Sequence, residues 1–422
     1  MSLFSILDKT GQFPAMQIQI VPIDPGRTGF IYPVSSSGGM SAGFLDYEFD
    51  QNMLVPCDAF SFTFAAPDGP PAYELIKEGD EIRLLCNNQL VSTGIVDTVE
   101  ILIDAEKGET INIRGRDMMS QLEMQSCAND KDGIIYNQNI TIENAVEILR
   151  KNTRIKGFRT VGTPNGTFEF PTQPGESKLS ALQRFMEPLN VIAWMDPDGT
   201  LVVGKPNFGK PSNQDSRKFF ASATRQDSNA LTFRVTRNGA TIPNRYLPIW
   251  SAQEQIQNKI PSEQIMFNKA KRPNELLKSA HRVTRAVVTS PPSGHDPTYV
   301  NALLAANIKT NDLTASGAFI KQFARRQMAR DNIEELKVDI EVPGHYDSDG
   351  NPYKVNTVYH IEIERASVDQ YMFCHAVKYR LDPSQGQMTT LSFINLYTIV
   401  ADAPVQTNFN ASFSALNSTG LA

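Results

Sequence analysis

His360, Glu362 and Glu364 alternate along one stretch of this chain, with Ile361 and Ile363 between them. Imidazole and carboxylate groups on one strand face are side chains that metals favour. A solvated strand face explains the same alternation equally well. Asp347-Ser348-Asp349-Gly350-Asn351 opens like a calcium loop, which needs a bidentate glutamate at its twelfth position. Here that position is Val358, so the segment reads as a plain turn between strands. The other histidines, His281, His295, His345 and His375, show no ligand spacing. There is no HExxH, no GxSxG and no Walker phosphate loop. Carboxylate pairs exist, but nothing singles out an acid–base couple for glycoside cleavage. Lys269, Lys271, Arg272, Lys278, Arg282 and Arg285 form a basic cluster that could hold phosphates. It lacks the interleaved aromatics of a single-strand platform and reads better as a structural or interface segment. Asn165-Gly166-Thr167 is a glycosylation sequon by spelling only. The sequence therefore assigns no catalytic, cofactor or metal residue.

The elements say more. Glu78 to Asp117 reads as three antiparallel strands. Ile82 to Cys86 is the first, and Asn87-Asn88 turns the chain. In the long second strand Ile95, Val99, Ile101 and Ile103 are expected on one face, with Thr98, Glu100 and Asp104 on the other. Period two is the signature of a strand wet on one side. Glu106-Lys107-Gly108 makes the next turn, and Ile111 and Ile113 continue the alternation. Gly94 marks an expected bulge or barrel corner.

The pattern returns from Lys354 to Asn395. Asp80-Glu81-Ile82 matches Asn356-Thr357-Val358. Val96, Val99, Ile101 and Asp104 match Cys374, Val377, Tyr379 and Asp382. Gly108 matches Gly386, and Ile111-Asn112-Ile113 runs parallel to Leu391-Ser392-Phe393. One supersecondary unit thus occurs twice, far apart in the chain.

A chain of 422 residues suggests about three domains. Hydrophobic residues at 41% and charged residues at 20% suit a globular protein with a real core. No apolar run approaches the roughly 20 residues of a membrane helix, and the first residues do not form a secretory signal. Cys57, Cys86, Cys127 and Cys374 form no CxxC and read as reduced, mostly buried thiols. Net charge is −6, unevenly spread. Residues 1–117 hold 17 Asp and Glu against 7 Lys and Arg, a balance of −10, and the rest carries +4. Such asymmetry suggests a polar partner or a charged channel.

The expected fold is mainly β with α+β insertions: two β-barrels and a small lateral α/β domain. Residues 1–117 form the first barrel. Residues 118–228 form the lateral domain, with a helix capped by Thr141, a second after Ser177 ended by Pro188, and a hairpin turning at Asp196-Pro197-Asp198-Gly199. Residues 229–400 form the second barrel, with an irregular and helical insertion at about 253–334. That insertion includes a helix from Ser316 to about Glu335. Residues 401–422 form an uncharged arm or disordered tail.

Gly79-Asp80-Glu81-Ile82, Thr93-Gly94-Ile95-Val96-Asp97 and Ile113-Arg114-Gly115-Arg116-Asp117 stand in a familiar order. So do Ala324 to Arg330, Val342-Pro343-Gly344-His345, Gly350 and Val355-Asn356. Over residues 16–400 the chain resembles the baseplate hub proteins of Mu-like contractile-tailed phages. More distantly it is similar to the hub base of type VI secretion spike proteins. Its polar stretch at 253–316 is longer than the pattern, and the tail has no counterpart.

The resemblance implies a structural, non-enzymatic role in a virion tail baseplate, assembled in the host bacterial cytoplasm. Such hubs are homotrimers, with two barrels of the tail-tube type per chain. Six barrels form a pseudo-sixfold ring between a sixfold tube and a threefold spike. Implied partners are the tail tube or tube-initiator protein, the central spike protein, baseplate wedge proteins and the tape-measure protein. DNA would pass through without specific binding, and Glu100, Asp104, Glu106 and Glu109 are the candidate acids of its channel. A hub of a phage-derived secretion or killing particle is one alternative, and a baseplate-associated wall-degrading enzyme is another.

Overall fold

A computed structural model describes residues 16–32, 44–65, 72–104, 108–127, 136–238 and 333–398, the last two ranges with short gaps, plus three strands between 245 and 289. The helix expected from Ser316, apart from Ile333 and Glu335, the basic cluster apart from Arg285 in β17, and the 401–422 tail lie outside the described residues.

Alternation builds the first strands. β1 (Met16–Val21) buries Met16, Ile18 and Ile20, and β2 (Phe30–Tyr32) pairs with it. β3 (Phe44–Asn52) and β4 (Ala59–Ala65) follow, with Phe60, Phe62 and Phe64 pointing inward. Past α1 (Ala72–Leu75) come β5 (Glu81–Cys86), β6 (Gln89–Asp104) and β7 (Gly108–Asp117). Asn87 and Asn88 both take positive φ, 50° and 57°, as a tight two-residue hairpin requires.

The middle of the chain changes period. α2 (Ser120–Met124) and β8 (Tyr136–Ile140) lead to α3 (Ile142–Arg150). The Thr141 side chain accepts a hydrogen bond from the Asn144 N–H and caps α3, as expected. After β9 (Gly157–Val161) and β10 (Phe168–Pro171), α4 (Lys178–Met186) stops two residues short of Pro188. β11 (Ile192–Met195) and β12 (Thr200–Gly204) form the expected hairpin, and β9 joins β12 in parallel. Leu122, Val146, Leu149, Leu182, Phe185 and Leu201 are among the residues of their shared core.

Strand structure then returns with β13 (Lys218–Ala221) and β14 (Thr232–Arg237). β15 (Arg245–Trp250), β16 (Met266–Phe267) and β17 (Thr284–Thr289) make a small separate sheet. β18 (Leu336–Pro343), β19 (Thr357–Ile363), β20 (Val368–Asp382) and β21 (Gly386–Asn395) complete the described chain.

One 13-stranded sheet contains two runs of six strands with the same order. The first is β1-β5-β6-β7-β4-β3, and the second is β13-β19-β20-β21-β18-β14. In each, the six strands follow one another along the chain in matching sequence. The register repeats as well. Val99 lies opposite Ile113, which faces Phe62; Val377 lies opposite Leu391, which faces Ile340. Each long strand skips one residue against its partner, Asp97 in β6 and His375 in β20. The Gly79 N–H donates to Val96 O at 2.8 Å, and the Asn356 N–H donates to Cys374 O at 3.0 Å. Gly79 and Asn356 both have positive φ. One difference stands: β1 runs antiparallel to β5, and β13 runs parallel to β19.

The internal repeat is therefore present, with three adjustments. Gly79, not Asp80, is the counterpart of Asn356, a one-residue shift along β5 and β19. Ile113 corresponds to Leu391 and Ile111 to Thr389, two residues from the expected match. Neither register shift in β6 falls at Gly94: against β5 the strand skips Val91, and against β7 it skips Asp97, which inverts the alternation. Val96 therefore joins the sheet's core with Val99 and Ile101, while Ile95 packs into the core of the middle region.

β3 links the units. It pairs antiparallel with the second half of β20, Asn52 opposite Ala376 through Tyr47 opposite Leu381. Phe49 stacks on Tyr379 across this joint, rings 5.7 Å apart and 5° from parallel, both fully buried. One hydrophobic cluster runs through both units. Among the described strands no barrel closes; the ladder runs open from β14 to β2.

Candidate assembly surface

The motif residues prove to be architectural. The Phe60 ring lies over Gly94 and Gly115, which are diagonal neighbours in β6 and β7: Gly94 faces Asp117 and Gly115 faces Val96. A Cβ on Gly115 would lie 2.1 Å from Ile95 O and 2.4 Å from Phe60 Cζ. One on Gly94 would lie 2.5 Å from Arg116 O. Arg116 then holds the bulge, its Nε donating to Asp97 Oδ2 at 2.7 Å, and it also pairs with Glu123 of α2. Asp80, fully buried, accepts from Arg27 Nη1 at 2.9 Å and Nη2 at 2.8 Å. It also accepts from the backbone N–H groups of Ile23 and Lys77.

Two further acids, Asp117 buried and Asp58 half-buried, sit where β4 and β7 meet the middle region. Asp58 accepts the Asn52 N–H at 2.7 Å, and Asp117 accepts the Met119 N–H at 3.0 Å. Burial pushes both carboxyls above the usual carboxylate range, and the charge of Asp117 adds to the rise at Asp58. They line a cleft with Met53, Cys57, Trp194 and Val355. Carboxyls perturbed in a cleft are a feature that active sites share. Here each has an oxygen engaged by backbone, and Asp117 tethers the start of α2.

The histidines and acids that opened the sequence analysis are held separately. His360 pairs with Asp369 at 2.9 Å, Glu362 with Lys218 at 2.6 Å, and Glu364 accepts the Ala223 N–H. Asp347 accepts from the Asp349 and Asn351 N–H groups, an ordinary turn. Among the described residues no group of three or more His, Cys, Asp or Glu side chains could hold a metal ion. His345 lies fully buried between Tyr47 Oη at 2.6 Å and Thr389 Oγ1 at 2.8 Å. Burial lowers its pKa to about 3, so the ring is neutral. Cys86, Cys127 and Cys374 are buried free thiols, and Cys57 is half-buried.

The face of the sheet turned away from the core is polar across both units. Register sets Glu100 opposite Asn112, Asn112 opposite Thr63, and Thr63 opposite Asp46. Farther along, Arg114, Ser61, Glu48 and Arg380 form a second row. Glu100 is exposed and lies 3.6 Å from Arg114. Asp104 shares its face. Glu109 does not: it pairs with Ile103 and therefore points to the other side. Glu106 lies outside the described residues.

Sequence reasoning missed the edges. The first part of β6 pairs with β5 only as far as Ile95. From Asp97 to Asp104 β6 has β7 on one side and, among the described residues, no strand on the other. Leu102 and Ile103 there are 59% and 79% exposed. β14 likewise has β18 on one side and no described strand beyond. Unpaired edges carry rows of unused N–H and C=O groups and template the addition of another strand. Only the topology reveals this, because which strands are neighbours is not a local property.

A fold of this kind is that of phage tail proteins. Its solved relatives include the tail protein from Neisseria meningitidis MC58, at 17% identity and TM-score 0.68, covering 93% of this chain and 99% of that one. The 43 kDa tail protein of prophage MuSo2 from Shewanella oneidensis has 15% identity and TM-score 0.64, with 92% and 98% covered. Prophage tail protein gp18 from Listeria monocytogenes has 9% identity and TM-score 0.54, with 96% and 100% covered. Residues 34–117 match the family of the Mu phage baseplate assembly protein GpP-like, N-terminal domain. That segment contains the Gly-Asp-x-Ile and Ile-x-Gly-Arg-Asp motifs, and the resemblance read from them stands. No curated protein matches by sequence. No helix among the described residues is long and apolar enough to cross a membrane.

Proposed function

We propose that the chain is a structural baseplate hub of a phage tail, resident in the virion and without an enzymatic site. The observation that carries this reading is the repeated six-strand order within one chain. Three copies supply six similar units, and a closed ring meets a sixfold partner only if it presents similar surfaces six times. The ring then adapts a sixfold tail tube, or its initiator, to a threefold central spike, with wedge and tape-measure proteins as neighbours. Each unit stands for one tube-like barrel, residues 1–117 for the first and residues 229–400 together with β13 for the second, with the rest of residues 118–228 as the lateral domain.

The central channel passes DNA without specific binding. Duplex DNA carries a charge about every 1.7 Å of its axis, and a basic wall would hold it by counterion release. The outer polar face of the sheet is the surface proposed to line the bore, with Glu100 and Asp104 upon it. Screening over roughly 8–10 Å restricts the effect to side chains that reach the channel.

Light scattering and electron microscopy of the purified protein, alone and with its spike, test the reading. A trimeric ring with six similar lobes is the expected result. A stable dimer or tetramer, with no trimer even beside the spike, overturns it. Turnover of peptidoglycan by the pure chain would favour the enzyme reading instead. A hub in a phage-derived secretion or killing particle has the same ring physics, and the genomic neighbours discriminate it.

A further inference from the structure

The joint inside the chain specifies a second joint between chains. β3 is the outermost strand of the first unit, and β20 receives it along residues 376–381. The register of the repeat makes β14 the counterpart of β3, because Phe233 faces Ile340 as Tyr47 faces Phe62. It makes residues 98–103 of β6 the counterpart of 376–381 of β20. Inside the chain the receiving edge is occupied, and no residue from Ala376 to Leu381 is exposed. In β6 the same edge has no described strand on it, and its large apolar side chains face solvent.

We propose that β14 of one copy pairs antiparallel with the second half of β6 of another copy, so that neighbouring chains share one continuous sheet. Transferring the internal register sets Phe233 opposite Ile103, Val235 opposite Ile101, Arg234 opposite Leu102 and Thr236 opposite Glu100. Apolar residues meet apolar residues at both core-facing positions, which would cover the side chain of Ile103. The pairing is head-to-tail, since the two edges differ, and such contacts form rings when their rotation closes. It rests on the hub reading for the number of copies and supplies the contact that reading leaves open.

Charge argues for this partner over any other strand. Inside the chain Lys378 pairs with Glu48 at 2.5 Å, a diagonal contact across β20 and β3. The counterpart of Lys378 is Glu100, and the counterpart of Glu48 is Arg234. The ion pair is therefore kept between chains with its signs exchanged. The exchange also sorts the edges. β3 placed on β6 would set Glu48 beside Glu100, and β14 placed on β20 would set Arg234 beside Lys378. Like charges at such positions oppose pairing, so each donor strand has one acceptor.

The test uses the full chain. Leu102→Cys with Arg234→Cys places two thiols directly opposite each other, and mild oxidation should yield covalent multimers on a non-reducing gel. Leu102→Cys with Val235→Cys points the thiols to opposite faces and should yield none; the single-cysteine variants control for Cys57. Independently, Glu100→Arg and Arg234→Glu should each weaken self-association at least ~10-fold by light scattering, and the double exchange should restore it. Circular dichroism establishes that each variant is folded. A trimer that shows neither the cross-link nor the charge rescue overturns the pairing and leaves the hub reading standing. A chain that stays monomeric at every concentration, with or without its spike, and uncross-linked overturns both.

Discussion

Replacing Asp80 with Ala should be among the most damaging single changes in the first unit. Its carboxylate is fully buried and accepts four N–H groups, two from Arg27 and two from the backbone. The Arg27 side chain is itself only 13% exposed. Its Nε and Nη2 also donate to Glu74 O and Leu75 O, so it cannot swing out without further loss. Removing one partner of a buried pair leaves the other charge uncompensated, at about 3–5 kcal/mol. The two backbone donors add to this, though not in full, because the site relaxes. An effect near 4 kcal/mol is expected. Urea unfolding followed by circular dichroism measures it, in a cycle of Asp80→Ala, Arg27→Met and the double variant. The double variant should cost at least ~1.5 kcal/mol less than the sum of the singles. A loss below ~1 kcal/mol for Asp80→Ala, or strict additivity, would show that the pair does not anchor the β1–β5 end of the sheet.

Other consequences can be measured the same way. Gly115→Ala forces a methyl against Ile95 O and the Phe60 ring and should cost about 3 kcal/mol; an unchanged urea midpoint would refute the close approach. Phe49→Ala empties the joint between the units and should cost about 3–5 kcal/mol, with both units losing structure in one transition. His345 is held neutral with a pKa near 3, below its unfolded value, so the unfolded chain binds more protons as pH falls from about 6.5 towards 3. His345→Gln should therefore show less acid destabilisation than wild type over that window, and an identical pH slope would count against it. Asp58 has the opposite sign: its folded pKa is raised, so its contribution is fully present below about pH 4 and is lost as pH rises. Asp58→Asn keeps an acceptor for Asn52 N–H and should gain on wild type at neutral pH, with no gain at pH 3.

The strands were legible wherever burial is one-sided. β1, β4 and β18 alternate without interruption, and their sequences alone give their inward faces. Thr141 and Asn87-Asn88 were legible because caps and tight turns are fixed by local chemistry. Ile95 was misplaced because the alternation was carried unbroken through Asp97, although a carboxylate two residues from both Ile95 and Val99, on the face given to apolar residues, is the mark of the bulge. The one-residue slip at Gly79 has a related cause. Gly and Asn both tolerate positive φ but share no side-chain chemistry, so by residue type Asp80 is the better match for Asn356. Arg116 with Asp97, and Arg27 with Asp80, were visible as motif residues but not as partners, since 19 and 53 residues separate them.

The charge asymmetry of the sequence gains a second meaning from the fold. An acidic first unit and a basic remainder suggested a bore that repels DNA. The intrachain joint shows acidic Glu48 on the donor strand and basic Lys378 on the acceptor strand. Reversal of those signs at the other pair of edges, Arg234 on the donor β14 and Glu100 on the acceptor β6, is not required by repulsion of a duplex. Any arrangement of acids on the wall would serve that purpose. It is required if two similar edges must each reject the wrong partner, because a duplicated unit otherwise offers every donor strand two equivalent acceptors. Duplication within one chain creates that ambiguity, and divergence of a few edge charges removes it. On this argument Glu100 has two demands on it, facing the channel and pairing across the joint, and they are compatible because a sheet residue can be paired along the sheet and still wet on one face.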